Sequence, residues 1–347
     1  MSMSKTNLKA LDEAGIEAFM DSMGLPGYRA RQLMQWIYGR GVVDIGEITV
    51  FSRSLREALG EKAYISSLIP IEVQRSGDGT VKLLLGLEDG LRIESVIIPE
   101  GDRLTLCVSS QVGCSMGCRF CRTATMGFRR NLEAHEIVDQ LLAANAHSGG
   151  RRISNIVFMG MGEPLMNIPN VAEAIRRINA FMGLSRRRIT VSTSGIPDAM
   201  LGLQRVLADK GIYINLALSL NATTDETRST IMPVNRKYPI AKLMAALRRF
   251  PLPKTRNFTI EYVLIEGVND TRADAARLAG LLKGIPNKVN IIPLNEFEGC
   301  GLRRPSDRRE EEFQSWLTSE GLTALIRRSK GQDILASCGQ LASAGKG

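Results

Sequence analysis

The sequence predicts an α/β protein: a parallel sheet of six strands, preceded by a small helical domain and a short antiparallel extension. Three observations carry this. Apolar, strand-like runs at 103–109, 155–160, 188–193, 213–219, 258–265 and 288–293 alternate with helix-like segments at about 133–147, 170–182, 198–209, 237–250, 271–283 and 306–318. Such alternation implies parallel strands joined by right-handed crossovers. Residues 8–60 instead place Leu8, Leu11, Ile16, Phe19 and Met20 at helical spacing,. Residues 71–100 split into short β-rich runs at Gly77-Asp78-Gly79 and Glu88-Asp89-Gly90, which are hairpin signals,.

Taken in order, the first helical run ends at the turn Gly24-Leu25-Pro26-Gly27, and Tyr28 to Tyr38 resumes a helix with Leu33, Met34, Trp36 and Ile37,. Arg29 and Arg31 of this domain could touch nucleic acid or serve structure alone. The hairpins bridge it to the main body. Six βα units in series fit a flat doubly wound sheet or an incomplete barrel, and in both architectures ligands gather at the C-terminal ends of the strands. There is no internal repeat and no low-complexity tract.

No apolar run approaches the roughly 18 residues that span a bilayer, and the start, MSMSKTNLKALDEAG, lacks the apolar stretch of a signal peptide,. A cytoplasmic protein with no membrane partner is expected. Net charge is +9, from 45 Lys and Arg against 36 Asp and Glu. The arginines cluster at Arg129-Arg130, Arg151-Arg152, Arg186-Arg187-Arg188, Arg303-Arg304, Arg308-Arg309 and Arg327-Arg328. These runs are either a solvated basic face or a surface for a polyanion such as RNA or DNA.

Six cysteines in a long chain without a secretion signal do not suggest a disulfide framework,. Cys114, Cys118 and Cys121 form C-x3-C-x2-C in the loop after the first strand of the alternating series. Three thiolates on a short loop can hold three irons of a cubane cluster and leave the fourth iron open. A structural zinc is the alternative, but it needs four ligands. The two histidines, His135 and His147, both fall on a helix and supply none. Cys300 matches no motif.

Other strand ends carry polar groups. NIVFMGMGEPLMN places Gly160, Gly162 and Glu163 just after an apolar run. Glycines there would let a ligand approach the backbone closely, and Glu163 could accept from an ammonium group or merely cap a helix. Ser192, Thr193, Ser194, Ser219, Leu220, Asn221 and Asn295 end three further strands. Glu94, in LRIESVIIP, shares a strand face with Val96 and Ile98; burial there would raise its pKa and suit acid/base work, unless an edge-strand arginine pairs with it. Cys107, alone, reads as an inert core thiol. Cys338, before Gly339 in a polar tail, reads as a nucleophile.

C-x3-C-x2-C with Phe120 before its last cysteine resembles the signature of the radical S-adenosylmethionine (SAM) superfamily. That resemblance implies a [4Fe–4S] cluster on Cys114, Cys118 and Cys121, with SAM on its open iron and Glu163 near the SAM amine. TLCVSSQVGC, GFRRNL, FMGMGEPLMN, TVSTSG, PVNRKY, TIEYVLI, VNIIPLN and CGQLA further resemble the RNA adenine methyltransferases of the RlmN/Cfr family, from about Leu25 to Ala342. The resemblance implies a partial six-stranded (β/α)6 barrel, divided as a helical accessory domain over 1–65, a β-rich extension over 66–102, the barrel over 103–297 and a C-terminal segment with Cys338 over 298–347. It implies SAM contacts at Gly162, Glu163, Ser194, Ser219, Leu220, Asn221 and Asn295, although Asn221 stands where that family carries histidine. By the same resemblance Cys338 carries a methyl group, Cys107 resolves a covalent RNA adduct and ends disulfide-bonded to Cys338, and Glu94 is the acid/base. The implied partners are 23S rRNA, tRNA and an electron donor of flavodoxin or ferredoxin type. The motifs do not decide between C2 and C8 of adenine; methylation at C2 is the expectation, with C8 as the alternative.

Overall fold

A computed structural model describes residues 5–342. The six apolar runs form parallel strands within a residue or two of their expected bounds: β6 (Arg103–Cys107), β9 (Asn155–Phe158), β10 (Ile189–Thr193), β11 (Asn215–Ser219), β12 (Phe258–Leu264) and β13 (Asn287–Pro293). Ahead of them lie β1 (Thr6–Asn7) and β2 (Ala63–Tyr64), a parallel pair that brackets the helices α1 (Glu13–Ser22), α2 (Tyr28–Met34) and α3 (Arg53–Lys62). Next come β3 (Ile69–Arg75), β4 (Val81–Gly86) and β5 (Arg92–Glu100). The helices behind the strands are α5 (Ala134–His147), α6 (Ile168–Phe181), α7 (Pro197–Ala208), α8 (Asp225–Ile231), α9 (Ile240–Arg249), α10 (Arg272–Leu282) and α11 (Asp307–Ser319), and β14 (Ala324–Ile326) follows the last.

All the long strands belong to one ten-stranded sheet in the order β14-β13-β12-β11-β10-β9-β6-β5-β4-β3. The hairpins are therefore no separate layer: β5 pairs antiparallel with β6, with Val96 opposite Cys107, and carries the sheet on through β4 to β3. From β6 to β14 the order never reverses. Right-handed crossovers then put every helix on the same face, and α5 packs on α6, α6 on α7 and α7 on α9. This is the incomplete barrel rather than a doubly wound sheet, whose reversal would divide the helices between two faces. The core fills the space between sheet and helices, with Leu106, Ile156, Val191, Leu218, Ile260 and Ile291 buried.

Local signals set the helix starts. Glu133 and Glu136 form a capping box on α5, Thr271 and Asp274 another on α10, and Ser306 caps α11,. The helical run from Tyr28 continues beyond α2 as a π-helical turn, Gln35–Gly39. Among the described residues no helix is long and apolar enough to cross a membrane.

Candidate active site

The cysteine loop leaves the end of β6 through a two-stranded ribbon, β7 (Gln111–Gly113) with β8 (Phe128–Asn131), which also encloses the short helix α4 (Arg122–Thr125). Gly113 has φ +74°, and a β-carbon there would lie 1.8 Å from the Gly127 carbonyl oxygen, so only glycine closes the base of the loop,. Backbone bonds hold the rest: Cys114 N–H donates to Gly127 O at 3.0 Å and Arg119 N–H to Ile231 O at 3.0 Å. Cys300 is buried in an apolar cluster behind the loop, alongside Phe120 and Cys118.

Cys114, Cys118 and Cys121 line one cavity of about 970 Å³, measured out to its open mouth, at the C-terminal ends of the strands. Burial pushes the Cys114 thiol up to about 12 and raises Cys118 and Cys121, the neighbouring sulfurs adding to the effect at Cys114 and Cys118. Such a set favours cationic metal over free thiolates. No three Cys, His, Asp or Glu side chains among the described residues converge on a single ion position. Three thiols spread around one cavity fit a polynuclear cluster, in which each thiolate meets its own iron, better than one tetrahedral zinc.

Gly160, Gly162, Glu163, Ser192, Thr193, Ser194, Ser219, Asn221 and Asn295 line the same cavity. The glycines have a different reason from the one the sequence suggests. A β-carbon on Gly160 would meet Val108 O at 2.7 Å, and one on Gly162, at φ +100°, would meet Gln111 Cβ at 2.6 Å. They let the turn after β9 lie against the Val108–Gln111 stretch that leads to the cysteine loop; the close contact is with protein. Glu163 accepts from Ser194 N–H at 2.7 Å, from Ser194 Oγ–H at 2.8 Å and from Leu165 N–H at 3.1 Å, so it caps the turn Pro164–Met166 as well. Burial raises its pKa and the Ser194 bonds oppose that. A carboxylate has about four acceptor sites, which leaves room for one more donor from the cavity.

Asn221 adopts left-handed backbone, φ +58°, which asparagine tolerates,. Its side chain is spoken for: Oδ1 accepts from Val263 N–H at 2.9 Å and Nδ2 points at Met232 Sδ at 3.2 Å. Leu220 is buried, and its carbonyl accepts from Arg228 Nε–H at 2.9 Å. Asn295 likewise gives its amide to protein, donating to Cys338 O at 3.0 Å and accepting from Ser329 Oγ–H at 2.5 Å.

The C-terminal segment folds back over the strand ends. Arg122 N–H donates to Gly339 O at 2.6 Å, Thr123 Oγ–H to Leu341 O at 2.6 Å and Gln340 Nε2–H to Glu296 O at 2.9 Å. Cys338 thereby opens onto the cavity that the three cysteines line, and protein around it raises its thiol, with Cys107, Glu261 and Cys121 contributing. Cys107 is buried at the end of β6, where desolvation pushes its thiol up to about 12. All six cysteines are free thiols. Glu94 lies on an interior strand rather than an edge, and its cation is a lysine: Lys82 Nζ sits 3.5 Å from Oε1, while Ala342 N–H donates to Oε2 at 2.9 Å. Burial still raises its pKa, against both partners.

Two residues escaped sequence reasoning. Glu261, inside TIEYVLI, lines the cavity with no ion pair among the described residues; burial pushes it up to about 7, and Asn290 Nδ2–H donates to Oε1 at 3.0 Å. A carboxylate in an otherwise apolar strand was the available signal. Arg228, fully buried, ties Ser219 O, Leu220 O and Asn235 Oδ1 together beside Cys118. Nothing in its local sequence marks it.

The chain matches the family model of the radical SAM superfamily over residues 108–279 and that of the ribosomal RNA large subunit methyltransferase N-terminal domain over 6–65. It is 50% identical to a dual-specificity RNA methyltransferase RlmN of Geobacter sulfurreducens, over 96% of this chain and 91% of that one. It is 48% identical to the protein of that name from Syntrophus aciditrophicus, over 98% and 97%. The crystal structure of a radical SAM methyltransferase from Sphaerobacter thermophilus superposes with a TM-score of 0.90 at 42% identity, covering 97% of this chain and 99% of that chain. With both family models matched in order and relatives aligned almost end to end, the chain belongs to the RlmN family of radical SAM RNA methyltransferases.

Proposed function

We propose that the protein methylates C2 of a specific adenine in 23S rRNA and in tRNA, with Cys338 as methyl carrier and Cys107 as the thiol that frees the product. The observation that carries this reading is the return of the C-terminal segment, which opens Cys338 onto the cavity lined by Cys114, Cys118 and Cys121, close enough to Cys107 for the two sulfurs to influence each other. Cys114, Cys118 and Cys121 would hold a [4Fe–4S] cluster. Glu163, fixed by Ser194, has an acceptor site left for the SAM ammonium, and Gly162, Ser219, Leu220, Asn221 and Asn295 shape the rest of the SAM site, the last two through backbone and through the Cys338 segment.

When bound, cluster and SAM supply a methyl group and the one-electron chemistry that an electron-poor C2–H carbon requires. The chain's residues do the remainder. Cys338 sulfur takes the methyl; one methyl hydrogen atom would pass to that one-electron chemistry, the carbon then bonds to C2 of the adenine, and the electron left on the adduct would be given up to the same chemistry. Glu94 takes the proton released from C2, a task suited to a carboxylate with a raised pKa. Cys107 sulfur then attacks Cys338 sulfur; the S–C bond breaks, its electron pair stays with carbon, which takes up a proton, and a disulfide remains. A reductant returns it to two thiols, consistent with a cytoplasmic location and a flavodoxin-like or ferredoxin-like electron donor.

Mass spectrometry of nucleosides from RNA treated with the enzyme tests the reading. 2-Methyladenosine is expected; 8-methyladenosine would move the chemistry to C8. Cys107→Ala should accumulate protein covalently joined to RNA, seen as a nuclease-sensitive slow band on a denaturing gel. Cys338→Ala and the double variant should show no such band, and equal, adduct-free inactivity of both single variants would return Cys107 to the inert-core reading.

A further inference from the structure

Residues 66–107 lie outside both family matches, which span 6–65 and 108–279. They form β3–β6, and the hairpins among them touch the C-terminal segment at several points. At the β3–β4 turn, Asp78 Oδ2 accepts from Gly331 N–H at 3.0 Å, and Gly77 N–H donates to Asp333 Oδ2 at 3.3 Å. Gly331 packs so closely on the turn that a β-carbon would lie 2.8 Å from Thr80 Cγ2. One strand further in, Lys82 Nζ donates to Ile334 O at 2.6 Å and faces Glu94 Oε1 at 3.5 Å. Lys82 is buried, and the same Glu94 accepts from Ala342 N–H, on the far side of Cys338.

We propose that Lys82 is a positioning residue, whose single ammonium fixes the Cys338 segment over the cavity and holds the Glu94 carboxylate beneath it. This rests on the function proposed above. The physical case is that a buried ammonium must satisfy its charge and its donors, and the groups it meets here are the carboxylate and a carbonyl four residues before Cys338. Lys82 and Ala342 N–H grip Glu94 from opposite sides, so carboxylate and thiol segment are held as one unit. The groups facing Glu94 are Lys82 from β4, Ala342 N–H from the C-terminal segment and, further off, Arg122 from α4. Lys82 therefore supplies the nearest positive charge opposing the effect of burial.

The test uses the cluster-loaded enzyme, purified without oxygen. Alkylation of Cys338 by iodoacetamide, assigned by peptide mass spectrometry, reports how firmly the segment is held. Lys82→Met should raise that rate by about tenfold, the effect of losing a hydrogen bond from a charged donor. It should also move the acid limb of RNA methylation upward by about one pH unit, because the carboxylate loses its nearby cation and is protonated sooner. Lys82→Arg should restore both toward wild type. Asp78→Ala loosens the segment at Gly331 but keeps Lys82 beside Glu94, so it should raise alkylation while moving the acid limb less than Lys82→Met does. Unchanged cluster absorbance and melting temperature separate these effects from misfolding. Wild-type alkylation together with a wild-type acid limb in Lys82→Met would overturn the proposal. Wild-type enzyme that makes no 2-methyladenosine would instead defeat the functional reading, while the alkylation result would still decide whether Lys82 anchors the segment.

Discussion

Gly162 lines the cavity next to Glu163, where β9 gives way to the turn Pro164–Met166. A glycine after an apolar strand suggests room for a ligand, yet Gly162 is required by the protein itself, at φ +100° with Gln111 against the missing β-carbon. Gly162→Ala should therefore lower folding stability by about 3 kcal/mol, from overpacking plus strained backbone. The shift in the urea midpoint measures it. A variant that unfolds like wild type but binds SAM weakly would restore the ligand explanation. For Glu94, alternation gives the correct strand and the raised pKa. It does not give Lys82, because the partner comes from an adjacent strand whose register only the fold determines. Asn295 is similar: its position at a strand end is legible, but the C-terminal segment it binds arrives from 43 residues away.

At the level of elements, the six βα units are visible because the strands read as short apolar-rich runs between amphipathic helices. β14 and α8 are too short for any periodicity to announce, and the β1–β2 pair joins residues 57 positions apart. The docking of the N-terminal domain onto α5 and α6 was equally hidden. It rests on polar groups: Lys9 Nζ meets Asp139 at 2.7 Å with both buried, and Arg177 donates to Lys9 O, Tyr38 Oη and Leu11 O at 2.7, 2.7 and 2.9 Å. Burial pushes Asp139 up to about 6 despite the ion pair, so desolvation outweighs the attraction of Lys9. Asp139→Ala would strand a buried ammonium and should destabilise the protein by about 3–5 kcal/mol. Lys9→Met/Asp139→Leu removes both charges and should recover most of that loss. A double variant as unstable as the single one, in denaturant unfolding, would mean that the pair itself supplies the docking energy.

Across the whole molecule, carboxylates pair some arginines of the runs and leave others, Arg129, Arg303 and Arg328 among them, with no carboxylate within 4.0 Å among the described residues. Arg130 is paired with Asp89 and Glu136, Arg304 with Asp307 and Glu310, and Arg308 and Arg309 with Glu312. Those are the solvated, internally balanced face that composition allowed. Arg151, Arg152, Arg186, Arg187 and Arg188 are exposed and have no carboxylate within 4.0 Å among the described residues. Arg256 joins them, its pKa lowered by burial and by Arg187 and Arg186. These residues precede β9, β10 and β12, so they sit at the strand N-terminal ends, opposite the cysteine cavity. An RNA that reaches both ends must be large and folded. Binding of tRNA or a folded rRNA domain should therefore be steeply salt-dependent, with each phosphate contact adding about 0.7–0.9 to the slope of log K against log salt. A short hairpin carrying only the target adenine should have a shallower slope. Arg186→Gln/Arg187→Gln/Arg188→Gln should flatten the slope for the large RNA by about 2 and leave that for the hairpin unchanged. Identical slopes for both RNAs in wild type and variant would confine RNA contact to the cavity end and leave these arginines as a solvated surface.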